Sequence, residues 1–146
     1  MADSEANRPE ASLSLRNKLS EIAQLPGWIE GLASLYSIPE EIEFAINVCL
    51  EEAVSNVIRH GYGEGEAGVV TVRFAMPERD LFEFTVEDEA QHFNPLDAPV
   101  PNTQGTPRVG GQGIHFLRHF TKKVEYTMKP TGNRLSMVFS AANSGL

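Results

Sequence analysis

Leu50-Glu51-Glu52-Ala53-Val54-Ser55-Asn56-Val57-Ile58-Arg59-His60-Gly61-Tyr62 is the stretch from which the rest of the chain is read. It closes a longer helical period, in which Ile42, Ala45, Ile46, Cys49, Leu50, Ala53, Val54 and Val57 form one apolar stripe. The spacing predicts a helix from Pro39 to His60. Ser37-Ile38-Pro39-Glu40 is its expected N-terminal cap and Gly61 its stop. Polarity breaks this stripe. At about 100° per residue, Asn56 falls between the directions of Ala45 and Cys49, Glu52 lies just outside Ala45, and His60 continues the row. A buried carboxylate beside a carboxamide is costly unless the two are paired or face a ligand or metal. Taken alone, E-x-x-x-N is most often a satisfied pair or a solvated flank.

Outward from this helix the pattern is clear on both sides. Residues 1–11 are polar and aperiodic and read as a flexible tail, followed by a short edge strand within Leu13 to Leu19. Ile29, Leu32, Ala33 and Tyr36 predict a helix from Pro26 to Tyr36, with the proline in its first turn. Beyond Gly61 the period becomes two. Val70, Val72, Phe74 and Met76 share one strand face, and Phe82, Phe84 and Val86 share the next. Gln91 to Gly111 is polar, contains Pro95, Pro99, Pro101 and Pro107, and reads as a lid or binding loop. A short helix (Ile114 to Phe120) follows. Two strands carrying Val124, Tyr126, Met128 and Leu135, Met137, Phe139 then flank a Pro130-Thr131-Gly132 turn. This order predicts an α+β fold: a two-layer α/β sandwich whose mixed, mainly antiparallel sheet carries helices on one face.

Composition narrows the function. At 146 residues, 41% hydrophobic and 22% charged, the chain fits one ordinary globular domain. Twelve Lys and Arg against twenty Asp and Glu leave a net charge of −8, which argues against direct nucleic-acid binding and against an electrostatic hold on a membrane. Cys49 is the single cysteine, so an internal disulfide is excluded; on the apolar stripe it reads as a core residue. No apolar run approaches the ~18 residues of a membrane span, and a soluble, cytoplasmic protein is expected. His115 and His119 stand four apart, but no glutamate adjoins the first, so they read as surface or packed residues rather than zinc ligands. Arg73 and Arg79 read as surface charges.

Two further features matter. Counting by twos from Phe82 places Asp88 on the inward face at a strand end, where a carboxylate can either cap a turn or accept a hydrogen bond from a bound group. Gly110-Gly111-Gln112-Gly113 runs straight into Ile114, and free amides at such a loop suit an anion. In order, Glu52-x-x-x-Asn56, Val86-Glu87-Asp88, Phe93-Asn94-Pro95-Leu96, Gly110-Gly111-Gln112-Gly113-Ile114 and Gly132-Asn133-Arg134-Leu135 resemble the motifs of the GHKL superfamily with its Bergerat ATP-binding fold. Within it, the chain resembles the anti-sigma-factor serine/threonine kinases of partner-switching circuits. The likeness implies a histidine kinase-like ATPase domain over residues 12–146.

The resemblance implies ATP and Mg2+ as cofactors, with Asn56 as the magnesium ligand and Glu52 as the general base. Asp88 would receive the adenine amine. Gly111 and Gly113, with Gly110, Gln112 and Ile114, would hold the phosphates; Arg108, in the lid, is by its charge alone the expected γ-phosphate partner. His60 and Phe93 would line the site. The implied partners are a sigma factor and a STAS-domain anti-anti-sigma protein phosphorylated on serine, with a homodimer also implied. One departure stands out: Ala90 occupies a position that is often glycine, and its methyl is expected to crowd the adenine edge. That departure keeps a non-catalytic nucleotide-binding module open as an alternative. A detached histidine-kinase catalytic domain is disfavoured, since no helical hairpin with a phosphorylatable His precedes the domain.

Overall fold

Strand alternation builds the sheet. The computed structural model describes residues 9–62, 66–97 and 117–141. Its strands are β1 (Glu10–Arg16), β2 (Val69–Ala75), β3 (Leu81–Asp88), β4 (Lys123–Met128) and β5 (Asn133–Ser140), in the spatial order β1-β2-β3-β5-β4. All four pairings are antiparallel, where the sequence predicts a mixed, mainly antiparallel sheet. The register sets Phe74 opposite Phe84, Phe82 opposite Phe139 and Val86 opposite Leu135, so one face is continuously apolar. β1 begins at Glu10, inside the stretch expected to be tail, because Glu10 and Ala11 pair with Ala75 and Phe74.

Both helices cover that face. α1 (Leu25–Tyr36) lays Trp28 edge-on to Phe84 at 6.0 Å and stacks Tyr36 on Phe74 at 5.4 Å between centroids. α2 (Glu40–Asn56) buries Ala45, Ile46, Cys49, Leu50, Ala53 and Val54 in the same core. Each fully buried aromatic or aliphatic side chain contributes about 1.5–3 kcal/mol, so this single layer supplies most of the cohesion. The opposite sheet face is polar. There Glu87 accepts hydrogen bonds from Arg73 and Arg134 (3.0 and 2.6 Å), and Ser136 donates to Glu83. Both Arg73 and Arg79 are exposed.

Two expectations are corrected. Ser37 is not the N-cap of α2. It adopts a left-handed conformation (φ 56°) that ends α1, and Pro39 caps α2 without a side-chain hydrogen bond. The sharp reversal between the helices consumes the serine, while Glu40, Glu41 and Glu43 favour the positive end of α2. Nor does the long helix continue regularly to His60. Val57–Tyr62 widens into a π-helical turn. Tertiary anchors accompany the change: the Tyr62 hydroxyl donates to the Val69 carbonyl and accepts from the Glu89 amide. Of the expected Ile114–Phe120 helix, residues 117–120 are helical and the remainder lies outside the described residues.

Candidate nucleotide site

Asn56 is the last residue of α2 and is buried, at the point where the helix widens. Asp88 is the last residue of β3 and is 3% exposed. The two meet across one narrow cavity of about 20 Å³, also lined by Ala53, Val57, Gly61, Val86, Phe93, Pro95, Tyr126, Asn133 and Leu135. Such a volume holds about one water.

Glu52 is brought to Asn56 but not to that cavity. Four residues along a helix leave the two side chains adjacent, yet one turn apart and rotated by about 40°. The Glu52 carboxylate lies one turn from Asn56 and lines a neighbouring open groove of about 480 Å³ with Leu19, Ser20, Ile22, Ala23, Val48, Glu51, Ser55 and Arg59. Its Oε2 is buried and has no hydrogen-bond partner among the described residues. Burial pushes the Glu52 carboxyl above its ordinary range, against the opposing pull of the Asn56 hydrogen bond and the Arg59 charge.

Other expected site residues fall around this pair. Phe93 lines the cavity. His60 is exposed and does not line it; its ring lies 5.7 Å from that of Phe93, and its carbonyl accepts from Gln91 Nε2. The methyl of Ala90 does not crowd the cavity either. It faces Gly61, where a Cβ would stand 3.2 Å from it. Arg108, Gly110, Gly111, Gln112, Gly113, Ile114 and His115 lie outside the described residues. His119 is exposed, with its ring edge-on to Phe120.

Two cavity residues with polar side chains were not singled out as binding groups: Tyr126 and Asn133. Asn133 stands directly opposite Asp88 in the β3–β5 register, and its side chain bonds to the Asp88 carboxylate. The same count by twos that picks out Asp88 would have found it, running back from Phe139 through Met137 and Leu135.

A metal or nucleotide would meet oxygen donors here. Asn56 offers a carboxamide oxygen, a donor of the kind Mg2+ accepts. Among the described residues no cluster of three or more His, Cys, Asp or Glu forms a closed metal site, so any ion would need most of its ligands from elsewhere.

An antiparallel sheet covered on one face by helices, with a strand-end aspartate and a helix-end asparagine across one cavity, defines the ATPase class that the motifs imply. The chain matches the family described as "Histidine kinase-like ATPase domain" over residues 15–139, and it belongs to that family. Serine/threonine-protein kinase BtrW of Bordetella bronchiseptica is 21% identical over 79% of this chain and 82% of its own length. An anti-sigma F factor of Clostridium novyi is 30% identical over 63% of this chain and 66% of its own. The RsbU and RsbW domains of Rv1364c from Mycobacterium tuberculosis superpose with a TM-score of 0.67 at 13% identity, covering 90% of this chain and 32% of that one. No helix among the described residues is long and apolar enough to cross a membrane.

Proposed function

We propose that the chain is an ATP-dependent protein serine/threonine kinase that doubles as an anti-sigma factor, phosphorylating a serine of a STAS-domain antagonist. One observation carries the reading. Asn56 and Asp88, far apart in sequence and both buried, share a cavity, and the unpartnered Glu52 oxygen sits one wall away. The named relatives support the kinase and anti-sigma roles.

The roles follow from the chemistry of each group. Asp88 accepts a hydrogen bond from the exocyclic amine of adenine. Asn56 is the described residue suited to hold Mg2+, which when bound would neutralise phosphate charge. Glu52 opens away from Asp88, onto the groove from which an acceptor hydroxyl can approach. There its ionised carboxylate takes the serine proton as the serine oxygen bonds to the γ-phosphorus and the bond to the β-phosphate oxygen breaks, releasing ADP. A raised proton affinity suits that task, provided the group is still ionised at the working pH. Backbone amides at Gly110 to Ile114 and the Arg108 guanidinium are assigned to the phosphates.

The test uses the full chain, Mg2+, ATP and a STAS-domain partner. Asn56→Ala is expected to abolish magnesium-dependent ATP binding by calorimetry. Glu52→Ala should bind ATP within a few-fold of wild type while phosphoserine formation falls about 10²–10⁴-fold. Unchanged ATP affinity in Asn56→Ala would overturn the site.

A further inference from the structure

The Asn133 side chain uses its full hydrogen-bonding capacity. Its Nδ2 donates to Asp88 Oδ1 (2.8 Å) and to the Gln91 carbonyl (3.0 Å). Its Oδ1 accepts from the Phe93 amide (2.9 Å) and from the Tyr126 hydroxyl. Two donors and two acceptors are all a carboxamide has, so this buried residue is fully satisfied. Because the Phe93 amide can only donate and the Gln91 carbonyl can only accept, the amide cannot flip without losing both bonds.

The consequence falls on Asp88. Oδ1 receives both Asn133 Nδ2 and the Ala90 amide (2.9 Å), whereas Oδ2 has no hydrogen-bond partner among the described residues. The aspartate, on the cavity wall, is thus reduced to a single free acceptor in a fixed orientation. A fixed acceptor favours an amine at the purine 6-position and repels a carbonyl there. The same amide also ties the Gln91–Phe93 segment, which carries the cavity wall Phe93, to the base-recognising carboxylate.

We propose that Asn133 is a positioning residue for base selectivity: held by Tyr126 and the Phe93 amide, it locks Asp88 so that the site takes 6-amino and rejects 6-oxo purine nucleotides. The inference rests on the proposed role of Asp88 as the base acceptor.

Calorimetry with ATP and GTP on wild type, Asp88→Asn, Asn133→Ser and Tyr126→Phe tests it. Wild type should prefer ATP, and Asp88→Asn should abolish the preference. Asn133→Ser should cut the ATP-to-GTP affinity ratio at least tenfold, and Tyr126→Phe several-fold. A merely structural asparagine would lower the melting temperature and leave the ratio unchanged. If Asp88→Asn collapses the ratio while Asn133→Ser, or Tyr126→Phe should the serine variant not fold, leaves it intact, the positioning role is wrong. If wild type itself does not discriminate, the Asp88 reading fails and this inference with it.

Discussion

The Glu52 carboxylate is half-buried, and the loss of hydration outweighs the help it receives from Asn56 and Arg59. Its folded-state proton affinity therefore exceeds the unfolded one. The penalty for keeping it ionised is absent at pH values below the ordinary carboxylate range and fully felt once pH exceeds the raised value. Glu52→Gln is expected to stabilise the fold by roughly 0.5–1 kcal/mol near neutral pH, after allowance for solvent screening. The gain should vanish on acidification to about pH 4, as read by urea unfolding at each pH. In its proposed role as general base, Glu52 should make phosphoryl transfer decline on acidification before an exposed carboxylate would protonate. Glu87 has the opposite sign. Burial pushes its carboxyl up, but the Arg134 and Arg73 guanidiniums more than offset this and hold it below the usual range. Glu87→Gln should cost about 0.5–1 kcal/mol near neutral pH, and the cost should fade as pH falls through the lowered value. E-x-x-x-N was legible as a candidate in the sequence. Which of its two members faces the cavity was not, because helix periodicity gives direction around an axis and says nothing of the partner wall.

At the scale of elements, the turn from β4 to β5 decides whether the site forms. Gly132 has φ +98°, and a Cβ there would lie 1.9 Å from the Asp88 carbonyl oxygen. Gly132→Ala should cost about 3 kcal/mol or more in denaturant unfolding, since it combines backbone strain with a clash against a buried strand end. It should also weaken ATP binding, because Asn133 follows directly. The turn was readable from Pro130-Thr131-Gly132; its closeness to Asp88 depends on the non-local pairing of β5 with β3. Val57–Tyr62 teaches the same lesson. Its sequence is regular enough for helix, and the π turn accompanies distant anchors at Val69, Glu89 and Gln91. Ala90→Gly is expected to lower stability by about 0.5–1 kcal/mol through the unfolded chain's added freedom. ATP affinity in that variant should stay within a few-fold of wild type, because the methyl points to Gly61 and not into the cavity.

Across the whole molecule, one apolar layer between sheet and helices carries stability, and the site lies at one end of it. Cys49 sits inside that layer, where burial pushes its thiol up to about 12. A thiol reagent near neutral pH should label it at the rate of unfolding and leave folded protein unmodified; rapid labelling would show that the layer opens locally. The five strands and the two helices that cover them, the apolar face of each and the candidate residues Asn56 and Asp88 were legible in the sequence alone, because period two and period 3.6 are local properties of the chain. Strand order, the separation of Glu52 from the Asp88 cavity, the packing of Ala90 against Gly61 and the four-way bonding of Asn133 were decided only by tertiary structure. Each depends on which distant segments pair, and that is settled by packing over the whole core rather than by any window of residues.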